Sequence, residues 1–328
     1  MRNTYFGKVS FRKVSLVLIF SFVGLLVSCS KQPAPIESGL LRVLSTTAMI
    51  DDVVGQVGGE RVEHSVLVVG AIDPHSYELV KGDDEKIDGA HIVFYNGLNL
   101  EHGASLRHKI STHSHEVSLG SYILKRYPEL ILFDGGELDP HIWMDVSLWS
   151  KIIDPIVEAL SEEDPEGLSY YTARGALLKE EMMAFHHSLR DRLQSVPENK
   201  RYLVTSHDAF GYFTRSYLAS NEELSTNGWR KRFKAPEGLA PDGQLGALDL
   251  QKIIDHLIEN QIEIVFPESN VSRDSLKKIV VACKEKKTPV RFSTDTLYGD
   301  CMGEAGSFEG TYKGMLEHNG SVLIKEWQ

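Results

Sequence analysis

Cysteine is nearly absent from this 328-residue chain: Cys29, Cys283 and Cys301 are all it has. That count excludes a disulfide-dense scaffold and a site built from several thiolates. With Cys29 set aside, Cys283 and Cys301 leave two readings open, one disulfide in an oxidising compartment or two buried thiols. A basic surplus is missing as well. The 35 Lys and Arg are outnumbered by 46 Asp and Glu, for a net charge of −11, which argues against a nucleic-acid partner. There is no His-Glu-x-x-His pattern and no nucleophile elbow, so the familiar signatures of a hydrolase are not present. Low-complexity tracts are absent too.

The N-terminus carries the first positive signal. Arg2, Lys8, Arg12 and Lys13 precede an apolar run over 14–27 that is too short for a comfortable membrane span. The run closes on Leu26-Val27-Ser28-Cys29 and turns polar at once. Residues 1–28 therefore read as an export signal and 29–40, rich in Pro, Ser and Gln, as a flexible tether. Removing 1–28 takes away four basic residues and no acidic one, which moves the net charge from −11 to −15. The remaining length suffices for two ordinary domains, and 42% hydrophobic with 25% charged residues is a globular composition.

One triplet recurs. Asp73-Pro74-His75 and Asp139-Pro140-His141 share a spelling that this composition would produce by chance in roughly 0.03 copies. The residue before Pro is pushed extended and Pro fixes its own φ, so each His leaves a turn in a defined direction. Two imidazoles held in this way can meet on one metal ion.

Around these triplets strand and helix patterns alternate. Strands are expected at 41–45, 62–69, 91–95 and 116–119, with helices at about 50–57, 76–87 and 99–110. A helix capped by Asp145 should follow, interrupted at Pro155. From Pro165 to Pro197, Tyr171, Leu178, Met182, Phe185, Leu189 and Leu193 mark one apolar stripe. It predicts a rod of about 40–45 Å. A second alternating unit has strands at 201–205, 262–266 and 289–292 and helices at 209–218, 250–259, 276–284 and from 310, with a loop-rich stretch over 221–243. The pattern predicts an α/β protein of two lobes, each with a mostly parallel sheet flanked by helices, joined by one long rigid helix. The expected division is 41–164, 165–196 and 197–328.

In such sheets ligands bind beyond the carboxyl ends of the strands. His75 follows one strand, His207 in Thr205-Ser206-His207-Asp208 follows another, and the last strand leads to Asp295 and Asp300, either of which can supply a carboxylate there. Three imidazoles and one carboxylate suit Zn, Mn or Fe. Tyr77, Trp143 and Phe210 lie beside these residues and can exclude water. Glu101, Asp145 and Glu268 are candidate acceptors for the second ring nitrogen of a ligating His.

The whole mature chain resembles the metal-binding lipoproteins of bacterial zinc, manganese and iron ABC transporters. The likeness rests on residues 73–78, 96–101, 139–143, 205–210 and 298–300, in that order behind a lipobox. The resemblance implies that His75, His141, His207 and Asp300 are the metal ligands, which decides Asp300 over Asp295, and that Cys29 is acylated as the lipid anchor. It implies capture of one divalent transition-metal ion (Mn, Fe or Zn) outside the cytoplasm, at the periplasm or cell surface. It further implies delivery to a permease driven by an ATPase, attachment to the membrane through the N-terminal lipid, and no enzymatic activity. Zinc-specific members of that family often carry a long His- and acid-rich loop. This chain offers only His108, His113 and His115 in the corresponding region, read as solvated surface. Some manganese-binding members place Glu where His207 stands. The alternative reading is a membrane-anchored metal-dependent hydrolase with Glu268 as base.

Overall fold

The strand Leu41–Ser45 (β1) is buried at four of its five positions and needs both faces covered, which the chain supplies by alternating strands with helices. The computed structural model describes residues 39–241 and 246–328. The expected export signal, most of the tether and Cys29 lie outside the described residues. Among the described residues no helix is long and apolar enough to cross a membrane.

The first sheet adds Val62–Val66 (β2), Ile92–Tyr95 (β3) and Glu116–Ser118 (β4) to β1. All three pairings are parallel and the order is β2-β1-β3-β4. Helix Ala48–Gly58 buries Ile50, Val53, Val54 and Val57 against this sheet and stops at Gly59, whose φ of 54° suits glycine. A short antiparallel hairpin, Phe133–Asp134 (β5) and Glu137–Leu138 (β6), follows the first sheet.

The second lobe holds Leu203–Val204 (β7), Phe233–Lys234 (β8), Ile264–Val265 (β9) and Arg291–Phe292 (β10). β7 pairs with β8 and β9 with β10, both parallel, and a parallel bridge from Thr205 to Phe266 links the two pairs. These strands are shorter than the sequence suggests, and β8 was not expected, because Phe233 and Lys234 sit in a stretch with little periodicity. That stretch also contains a helix, Asn221–Thr226, with a capping box between Ser220 and Glu223.

The expected rod is helix Leu168–Gln194, 27 residues or about 40 Å. Its stripe from Tyr171 to Leu193 is buried, with Gly175 in the same row. It packs on Ala48–Gly58, Ile153–Glu163 and Tyr312–Trp327. One continuous apolar core runs from Leu41 to Trp327. Pro155 lies in the first turn of Ile153–Glu163, where its missing N–H costs nothing, so the break expected there falls just before it.

Two helices are much shorter than expected. Instead of 76–87 and 99–110, the structure has Asp83–Gly89 and Ala104–Ser111. Glu78 explains both departures. Its carboxylate accepts from the amides of Ala104 and Ser105, 2.7 and 2.8 Å away, so it caps a helix 26 residues downstream instead of joining one of its own. Leu98 and Asn99 take φ of 52° and 66°, which no helix tolerates. In the second lobe 209–218 is one helical turn, Gly211–Phe213, continued by a π-helical stretch, Thr214–Leu218.

Candidate metal centre

The two Asp-Pro-His turns work as their chemistry suggests. Each Asp accepts the backbone N–H of the His two residues on: Asp73 Oδ1 from His75 at 2.8 Å and Asp139 Oδ1 from His141 at 3.0 Å. Asp139 also receives Nδ1 of His141 at 2.8 Å, which leaves Nε2 pointing inward. His75 stands in the irregular stretch after β2, and His141 leads into the turn Ile142–Met144 after the β5–β6 hairpin. His207 follows β7, and Asp300 follows the bridge that joins Glu268 to Leu297.

All four side chains meet. One donor atom from each of His75, His141, His207 and Asp300 falls within 4.8 Å of the others, and every one of these residues is buried. The inward atoms are Nε2 of the three imidazoles and both oxygens of Asp300. The two closest imidazole nitrogens, on His75 and His141, are 3.3 Å apart. Asp300 lies 3.0 Å from His207, 3.4 Å from His141 and 3.6 Å from His75. A tetrahedral ion with bonds near 2.1 Å would set its ligand atoms about 3.4 Å apart, and the separations from Asp300 to the three imidazoles and between His75 and His141 fall close to that value. Asp300 Oδ1 is buried with no hydrogen-bond donor and faces Nε2 of His141, an arrangement a cation relieves.

The electrostatics divide the histidines. Burial pushes His75 and His141 down to about 4, so both are neutral at pH 7 and ready to ligate. Burial opposes charge on His207 as well, but Asp300 on one side and Glu268 on the other outweigh it and hold its pKa well above the usual histidine value. Burial likewise opposes ionisation of Asp300, yet the surrounding imidazoles, His207 foremost, keep it well below the usual carboxylate range.

Of the three proposed acceptors behind the ligands, Glu268 is one: its Oε2 lies 2.7 Å from Nδ1 of His207, and its Oε1 accepts the His207 backbone N–H at 2.9 Å. Glu101 serves elsewhere, accepting from the Thr46 hydroxyl and the Asn96 and Gly97 amides. It thereby fixes a loop whose Asn96 side chain donates to the Pro140 carbonyl. Asp145 is the helix cap expected of it, accepting from Ser147 and Leu148, and does not reach a ligand. The acceptor behind His141 is Asp139, which the sequence reading treated only as part of a turn. The signal was in plain view, since an Asp two residues before a His can accept from both its amide and its ring.

The flanking aromatics are buried. Trp143 donates its indole N–H to the Gly299 carbonyl at 2.9 Å and so clamps the loop that presents Asp300. The Tyr77 hydroxyl turns away to Asp83. Asp295 lies on the surface, paired with Lys325 at 3.0 Å, and takes no part. Cys283 and Cys301 are both buried and free. The Cys301 thiol meets the Ser269 hydroxyl at 3.2 Å and stays out of the cluster. His115 is paired with Glu163 at 2.6 Å, remote from the site.

Residues 43–326 match the family model described as zinc-uptake complex component A, periplasmic. The metal-binding protein YtgA of Chlamydia pneumoniae is 38% identical over 310 residues, covering 94% of this chain and 93% of its own. The manganese-binding lipoprotein MntA of Bacillus subtilis is 34% identical over 289 residues, covering 87% of this chain and 89% of its own. Among solved structures, Fe(III)-bound YtgA from Chlamydia trachomatis superposes with a TM-score of 0.82 at 36% identity, over 88% of this chain and 98% of that one.

Proposed function

The chain belongs to the periplasmic zinc-uptake complex component A family, and on that premise we propose that it captures one transition-metal ion on His75, His141, His207 and Asp300 and hands it to a membrane permease. It is the solute-binding component of a metal ABC transporter and not an enzyme. The cargo is Mn, Fe or Zn, in keeping with the three imidazoles and one carboxylate and the lack of a thiolate. The observation that carries the ligand assignment is the convergence of four buried donors, from stretches far apart in the sequence, within 4.8 Å of one another.

A metal-dependent hydrolase finds no support among the relatives, which are metal-binding proteins. The base that reading required, Glu268, is occupied in bracing His207. Work takes place outside the cytoplasm. The finer picture is an acylated Cys29 that holds the protein at the membrane beside its permease and ATPase, with 41–164 and 197–328 as lobes on the connecting segment 165–196. The lipobox spelling and the lipoprotein relative support the anchor.

Elemental analysis of the protein purified without chelator, beside a His141→Ala variant, tests the ligand set. About one equivalent of transition metal in the parent, lost in the variant with the circular dichroism unchanged, is the expected result. No metal in either, even after reloading with Mn, Fe and Zn, overturns it.

A further inference from the structure

The four ligands are not equally enclosed. The side chains of His141, His207 and Asp300 have no exposed surface, whereas His75 keeps 2%. A cavity of about 520 Å³ reaches His75 and is rimmed by His102, Asp134 and Glu137. None of the other three ligands borders it.

His75 is also the least braced. Carboxylates hold Nδ1 of His141 and of His207, but no hydrogen bond or ion pair anchors Nδ1 of His75 among the described residues. Its stretch from Leu67 to Gly82 contains no regular secondary structure. Gly70 within it has a φ of 73° and open space around it. A ligand without a brace, on a segment without a ladder, is the one that can leave the ion at least cost.

His102 waits on the cavity side. Its ring centroid is 5.9 Å from that of His75, and its backbone N–H donates to the His75 carbonyl at 3.2 Å. Nδ1 of His102 faces the Asn99 carbonyl at 3.4 Å, so Nε2 is the nitrogen left for an ion. Asp134 and Glu137 flank the Gly135-Gly136 turn and are both exposed, placing negative charge at the mouth.

Resting on the metal-capture reading above, we propose that the ion enters and leaves past His75 through this cavity, with His102 as its outer, transient ligand. In release, the bond from His75 breaks first and His102 takes the vacated position on the ion. The remaining bonds then part as water replaces them. Entry is the reverse. An outer contact of this kind lowers the barrier in both directions and leaves the equilibrium constant nearly alone.

Cobalt(II) uptake by the full chain, followed by visible absorption in a stopped-flow instrument, tests the route, with release measured into excess chelator. The His102→Ala variant is expected to slow uptake and release together by about tenfold, with affinity held within about threefold. Glu137→Lys should slow uptake about tenfold at low salt, an effect that fades as salt is added. Glu180→Lys on the exposed face of the long helix changes the net charge equally and should leave uptake unaltered. Unchanged rates in His102→Ala, or equal slowing by Glu137→Lys and Glu180→Lys, would overturn the proposal. Failure of the underlying capture reading looks different: no saturable cobalt uptake by the parent, or uptake that survives in His141→Ala.

Discussion

Replacing Glu268 by Gln should change how many protons the site releases as well as how tightly it holds its ion. In the metal-free protein His207 lies between Asp300 at 3.0 Å and Glu268 at 2.7 Å, which keeps its pKa well above the ordinary histidine value. His75 and His141, pushed by burial to about 4, are already neutral at pH 7. An arriving ion therefore displaces about one proton, from His207, and affinity should rise about tenfold per pH unit through the neutral range. Below about pH 4 His75 and His141 also compete, and the slope should steepen toward three. In Glu268→Gln the second carboxylate is gone. Loss of the brace should weaken binding by about 10–100-fold, or roughly 1.4–2.7 kcal/mol. At the same time His207 becomes easier to deprotonate, so proton release at pH 7 should fall below that of the parent and the pH slope should flatten. Titration calorimetry in buffers of different ionisation enthalpy reads proton count and affinity together. No proton release by the parent at pH 7, or the same release in parent and variant, would refute this account of His207.

Two further perturbations test the scaffold. Glu223 is buried, which by itself would raise its pKa, but Arg232, the Ser220 amide and Lys231 outweigh burial and hold it at about 2. A carboxylate with a depressed folded pKa stabilises the protein above its unfolded value of 4.5 and loses that contribution as pH falls toward 2. On the order of 2–3 kcal/mol should disappear across that window, as measured by urea unfolding, and Glu223→Gln should remove that part of the pH dependence; an unaltered profile would count against it. Gly175→Ala pits helix propensity, worth about 1 kcal/mol, against contacts of 2.9 Å to Cγ2 of both Ile153 and Val157. Because β-branched side chains cannot rotate aside easily, overpacking should win and cost a net 1–2 kcal/mol or so. A lower melting temperature is the expected outcome, and a higher one would show that the Ile153–Glu163 helix yields.

The four clustered residues were legible because each announces itself within a few residues: a repeated triplet, a His after a strand, an Asp after the last strand. Even so, the residues alone left Asp295 and Asp300 open, and only family likeness chose between them. In the structure Asp295 is spent on Lys325. The long helix was legible because its stripe is long and one-sided. What escaped notice depends on partners far along the chain. Glu78 caps amides 26 and 27 residues away, and no local pattern shows that it has left its own segment. Gly103 permits this junction, since a Cβ there would sit 2.0 Å from the Tyr77 carbonyl oxygen. Similarly, β8 is held by pairing with β7 and not by any propensity of Phe233 and Lys234.

The shared core around the long helix has a consequence for cooperativity. Leu189 and Leu193 press on Gly320 so closely that a Cβ there would lie 2.5 Å from a Leu189 methyl group, while the other end of the same helix packs on Ala48–Gly58. Each lobe has a smaller apolar cluster of its own, but the largest is shared across the long helix, so melting should proceed as one calorimetric transition. A bound ion then stabilises the whole fold at once, by about 2.7 kcal/mol at a hundredfold excess over its dissociation constant. Occupancy is thereby written into resistance to unfolding as far away as Trp327, and a protease that samples the open chain would tell loaded protein from empty.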